Sequence, residues 1–244
     1  MDIANLIQTI TLYALPVLFA ITIHEAAHGY AARHFGDNTA YLQGRITLNP
    51  LKHIDPMGTI AMPLLLYFAT SGAFLFGYAK PVPVNFGALR NPKRDMMWVA
   101  LAGPASNFAQ AIFWALLLVA LAAMNMQEPF FVKMAQAGVL VNLVMWAFNL
   151  FPLPPLDGGR ILVGLLPWKQ AQLVSRIEPW GFFIVMGLVL VGVVGALWLR
   201  PLMAVGYSLI NALISPLAFL LGERSLVLAG TPFQASKRHY PRVS

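Results

Sequence analysis

Six apolar stretches run through the chain, at about 6–33, 57–77, 96–123, 134–151, 180–199 and 202–221. Several approach the roughly 20 residues that a helix needs to cross a hydrocarbon core. Of the 244 residues 59% are hydrophobic and 10% charged, against about 25% charged in soluble domains. The expected fold is therefore an all-α polytopic membrane protein. One membrane domain is expected over 1-222, followed by a basic cytoplasmic tail at 223-244 that carries Arg224, Lys237, Arg238 and Arg242. With no cysteine, disulfides, thiolate zinc sites and cysteine nucleophiles are excluded. No basic flank precedes the first stretch, so it does not read as a cleaved signal peptide. The net charge of +7 lies in loops between spans without aromatic interleaving, as topology-setting charges do, and does not point to nucleic acid.

Inside the first stretch His24, Glu25, Ala26, Ala27 and His28 spell H-E-x-x-H. Titratable groups at membrane depth are costly and by default mark a functional site. The spacing puts two imidazoles one helical turn apart on one face, with a carboxylate beside them. Neutral His24 and His28 would bind zinc, and Glu25 would move a proton from an attacking water to a leaving amine. Without a metal, three buried polar groups would need other partners.

Catalytic zinc normally takes three protein ligands and leaves a position for water. The best third ligand is Asp157, in Asn149-Leu-Phe-Pro-Leu-Pro-Pro-Leu-Asp157-Gly158-Gly159-Arg160. Three prolines break the fourth stretch at the depth of the histidines. Broken backbone at that depth is tolerated only within protein or beside a water-filled cavity.

The positive-inside rule gives a topology. If Arg33, Arg45 and Lys52 are cytoplasmic together with Lys80, Arg90, Lys93 and Arg94, the stretch at 57–77 cannot be a simple crossing. It is expected to re-enter, with Pro63, Ser71-Gly72 and Gly77 as breaks. All sixteen Lys and Arg except Lys133 and Arg200 then lie inside. The N-terminus is outside and the tail cytoplasmic, with a further break expected at Arg200-Pro201. His28 falls five residues from Arg33, about 8 Å at helical rise, which puts the motif near the cytoplasmic face.

Three motifs in this order, H-E-A-A-H-G, Gly103-Pro-Ala-Ser-Asn107 and the Asn149 to Asp157-Gly158 segment, resemble the site-2 protease family of intramembrane zinc metalloproteases. The likeness covers about residues 6–165 and is closest to the short branch without a PDZ domain. It implies a three-helix catalytic core, here with the re-entrant segment and two further C-terminal transmembrane helices. It implies one zinc ion on His24, His28 and Asp157, with Glu25 as base. Transmembrane protein substrates would be cut near the cytoplasmic face of a lipid bilayer, expected to be a prokaryotic cell membrane. Asn149 is the implied substrate or oxyanion partner with Asn107 on the neighbouring helix, although either amide could instead bond between helices.

Two motifs stay open. His53 and Asp55, after Gly44-Arg45-Ile-Thr-Leu-Asn49-Pro50, form an accessory polar cluster or second metal position, or fix a turn by Asx-type bonding. Lys80-Pro-Val-Pro-Val84 is an edge strand for substrate pairing or a proline-rich loop. A metal transporter would need polar residues along several spans and repeat symmetry, and neither is visible. An idle scaffold would have lost one of His24, Glu25, His28 or Asp157. Substrate identity, oligomeric state and the metal used in the cell are not legible.

Overall fold

The computed structural model describes residues 3–62, 65, 77, 79–126 and 128–221, and among them every regular element is helical. Most of the expected re-entrant stretch and the whole basic tail lie outside these residues. The elements are α1 (Ile3–His34), a short α2 (Thr39–Leu42), α3 (Pro92–Ala123), α4 (Pro129–Asn149), α5 (Asp157–Leu165), α6 (Trp168–Ser175), α7 (Glu178–Leu190) and α8 (Arg200–Leu220). Short 3-10 or π turns stand at Pro50–Lys52, Pro56–Ala61, Phe86–Ala88 and Gly195–Leu199.

Among the described residues four helices are long and apolar enough to cross a membrane: Ile7–His34, Pro92–Ala123, Pro129–Asn149 and Gly195–Leu220. This is an integral membrane protein. In lipid no water is available to satisfy a free N–H or C=O, so the helix is the element that these apolar runs form. Pro92 and Pro129 sit in the first turns of α3 and α4, where the missing N–H costs nothing. At the start of α3 the Asn91 N–H donates to Asp95 Oδ2 at 2.8 Å, a carboxylate at the positive end of the helix dipole.

α1, α3 and α4 pack against one another, and α5 lies on α3. An apolar cluster joins α3 (Trp114, Leu118), α4 (Val139, Leu143) and α8 (Ile210, Ile214). A smaller one, Ala32, Leu89 and Val99, closes the other end of α1. His24 and His28, which meet α3 at Asn107 and Val99, fall between these two clusters.

The C-terminal part departs from expectation. The helix does not stop at Arg200-Pro201; the π turn Gly195–Leu199 runs straight into α8. The wider turn relieves the clash between a proline ring and the carbonyl four residues back. The break falls instead at Gly192, whose φ of +79° ends α7, with its N–H donating to Val189 O at 2.9 Å. α7 has 13 residues, about 20 Å, too short to cross alone. With α6 it forms a pair bent by 66°.

Where α1 ends, the buried Asp37 ties three segments together. Its Oδ1 accepts from Thr39 N at 2.9 Å and its Oδ2 from Asn85 N at 2.7 Å. Burial opposes the charge, but these donors hold the carboxyl below the usual carboxylate range. A depressed folded pKa stabilises fully above the unfolded value and is lost as pH falls through the folded one. Asp37→Asn should therefore melt lower than wild type by a constant margin above about pH 4. The margin should narrow as pH falls further, read by thermal unfolding in detergent.

Candidate metal centre

His24 and His28 project from one face of α1, and Asp157 opens α5, the helix that follows the proline-rich turn. His24 is buried, while His28 and Asp157 are partly so. Their Nε2 atoms are 3.0 Å apart, and Asp157 Oδ2 lies 3.3 Å from that of His24 and 3.4 Å from that of His28. Among the described residues these three are the one group of three or more His, Asp or Glu close enough to share an ion.

The outer nitrogens fix which way the inner ones face. His24 Nδ1–H donates to Asn107 Oδ1 at 2.6 Å, and His28 Nδ1–H donates to the Val99 carbonyl at 2.7 Å. Each neutral ring then turns an Nε2 lone pair inward. Two lone pairs and a carboxylate oxygen meet there, and Asp157 Oδ2 is buried without a hydrogen bond. Such a donor set needs a cation. Ligands about 2.0–2.1 Å from a tetrahedral zinc would be about 3.3 Å from one another, close to the spacings found.

Asn107 is fully buried, and its amide is spent. Besides accepting from His24, its Nδ2 donates to Ala20 O at 3.1 Å and to Asn142 Oδ1 at 3.0 Å; Asn142 in turn donates to Gly138 O at 2.9 Å. In this arrangement Asn107 bonds between helices and orients His24, the alternative the sequence offered beside a substrate contact. Asn149 donates to Met145 O, 3.0 Å away in its own helix.

Asn142 was not singled out from the sequence, although a lone amide amid apolar residues was a usable signal. Gly103, the first residue of the Gly103-Pro-Ala-Ser-Asn107 motif, works through packing. A Cβ there would stand 2.4 Å from His28 Nε2 and 2.6 Å from His24 Cε1, so glycine is what lets α3 approach the imidazoles. The same holds at Gly159, where a Cβ would meet Pro154 N at 2.0 Å, allowing α5 to tuck under the prolines. One turn after Asp157, Arg160 bonds Glu178 at 2.9 Å and lies over the Phe86 ring, 4.8 Å from its centre.

His53 and Asp55 do not form a second metal position among the described residues. Asp55 Oδ1 accepts from Met57 N at 3.0 Å and Gly58 N at 2.7 Å, capping the turn that follows. His53 is buried and its Nε2 bonds Thr47 O at 2.9 Å. The Asx-type alternative is the one this geometry carries.

The chain matches the model of peptidase family M50 over residues 122–192. Two relatives bear the description "Putative zinc metalloprotease". YwhC of Bacillus subtilis (strain 168) is 38% identical over 212 residues, 83% of this chain and 92% of that protein. Rip2 of Mycolicibacterium smegmatis is 31% identical over 176 residues, 71% of this chain. The match spans 64% of Rip2, just under two thirds of its length. No solved structure matches the chain.

Removing an outer partner of a ligating imidazole typically weakens metal binding about 10–100-fold. Asn107→Leu should lower zinc affinity by that order, measured by competition with a calibrated chelator. Gly103→Ala should lose the site altogether.

Proposed function

The chain belongs to peptidase family M50 and is a zinc metalloprotease, and on that premise we propose that it hydrolyses peptide bonds within transmembrane segments of other membrane proteins. The observation that carries this is the convergence of His24, His28 and Asp157 among helices long enough to span a bilayer. In this reading one zinc ion is held by those three residues. When bound, zinc supplies a Lewis acid that polarises the scissile carbonyl and makes water acidic enough to attack at neutral pH.

The remaining steps belong to the chain. Glu25 takes a proton from the attacking water and returns it to the leaving amine. Asn107 and the Val99 carbonyl keep both imidazoles aimed inward throughout. Asn149 exchanges its intrahelical bond for one to the substrate carbonyl or strand. A substrate helix must unwind first, because a helical peptide bond is shielded by its own turn. The proline-broken segment at 152–156 admits water at that depth.

The catalytic core in this proposal is about 6–165, a three-helix unit of α1, α3 and α4 closed by α5. The membrane domain is 1–222 and the tail 223–244 is cytoplasmic. The N-terminus is outside and the site lies near the cytoplasmic face of a prokaryotic cell membrane. The charge pattern of the loops supports that orientation.

Glu25→Gln should abolish cleavage while leaving bound zinc unchanged. Expressed in cells, the variant should retain an uncut membrane protein that co-purifies with it and that the wild type cleaves. Wild-type cleavage rates in Glu25→Gln would overturn the assignment. Stripping zinc with a chelator should stop cleavage, and added zinc should restore it.

A further inference from the structure

Glu25 is engaged by a segment from far along the chain. Its Oε2 accepts a hydrogen bond from Val82 N at 2.7 Å. Val82 stands between Pro81 and Pro83, neither of which has an N–H. Hence the one main-chain donor between Lys80 and Val84 is the one that meets the carboxylate.

That segment is itself held. Arg45 Nη2 donates to Lys80 O at 3.0 Å and Pro81 O at 3.2 Å. Lys80 N donates to His53 O at 2.9 Å, and His53 is fixed by Thr47 O. Further on, Asn85 N is held by Asp37. The Val82 side chain is buried, 6% exposed, in the space beside Gly29, where a Cβ would come within 3.2 Å of it. The segment is not a strand, and over 80–83 two N–H groups are bonded within the protein while the prolines have none, so it offers no row of free N–H groups for substrate pairing. Of the two alternatives for 80–84, the proline-rich loop is the one found and the edge strand is not.

We propose that residues 80–82, clasped by Arg45, are a brace for the general base: the Val82 N–H fixes one oxygen of Glu25 and leaves the other to carry the proton. Arg45 and the Val82 main chain are positioning elements that act through Glu25, and the inference rests on reading Glu25 as the base. It gives work to the Gly44-Arg45-Ile-Thr-Leu-Asn49-Pro50 and Lys80-Pro-Val-Pro-Val84 motifs together. A bonded carboxylate keeps its place in the helix face between turnovers, and preorganisation of that kind is what an acid–base group needs.

The test is hydrogen–deuterium exchange on the full chain in detergent, where the two prolines isolate the Val82 amide within its segment. Val82 should exchange slowly in wild type and in Glu25→Gln, whose amide oxygen still accepts. It should exchange at least ten-fold faster in Glu25→Ala and in Arg45→Ala, with Arg45→Lys in between. Equal protection in wild type and Glu25→Ala, or in wild type and Arg45→Ala, overturns the brace. Should Arg45→Ala not be recovered folded, Arg45→Gln is read in its place.

Kinetics on the substrate captured by Glu25→Gln give the second readout. Arg45→Ala should lower kcat ten-fold or more with KM and zinc content unchanged, and Arg45→Lys should restore part of it. A raised KM at unchanged kcat, or a raised kcat, overturns the brace in favour of a substrate edge or a blocking strap. Exchange does not depend on proteolysis, so its failure leaves the proposed activity standing. Cleavage by Glu25→Gln would sink that activity instead.

Discussion

Two imidazole nitrogens and a carboxylate oxygen, all within about 3.4 Å of one another, form an arrangement that a cation completes. The rest of the fold is organised to hold it. α1 supplies the two histidines, α5 the aspartate, and α3 the glycine gap and two of the acceptors that aim them. In a low-dielectric interior, polar groups left half-satisfied cost far more than they would in water. That cost accounts for the series of bonds from His24 through Asn107 to Asn142 and Gly138.

The packing follows the same demand. Close approach of α3 to α1 requires a residue without a side chain at Gly103. The turn that delivers Asp157 requires prolines to end α4 and glycines to let α5 fold back beneath them. Apolar clusters of α3, α4 and α8 on one side and of Ala32, Leu89 and Val99 on the other flank the level of the histidines. From the opposite direction the 79–85 segment closes on Glu25, so base and ligands are constrained by different parts of the chain.

Much of this was readable in advance. The apolar runs announced helices, and H-E-x-x-H named two ligands and a base. The Pro-Leu-Pro-Pro-Leu-Asp-Gly-Gly run pointed to the third ligand, because backbone breaks at membrane depth are rare. What was not readable depended on the side chains that meet across helices. Asn107 carries the same amide whether it faces a substrate or an imidazole. Asp55 carries the same carboxylate whether it binds metal or caps a turn. Pro201 was expected to break a helix, and a π turn accommodated it while Gly192 made the break.

The sequence by itself determined the helical class, the membrane setting and which side chains are candidates to hold a metal and move a proton. These follow from hydropathy, local periodicity and side-chain chemistry, which are properties of residues near one another in the chain. Only the tertiary structure decided that Asn107 and Asn142 serve His24, that Gly103 makes room for both rings, that Val82 reaches Glu25 and that Arg45 holds the carbonyls of Lys80 and Pro81. Those pairings join residues 35 to 83 positions apart, and nothing in local pattern specifies which distant amide, carbonyl or cation will meet a given side chain.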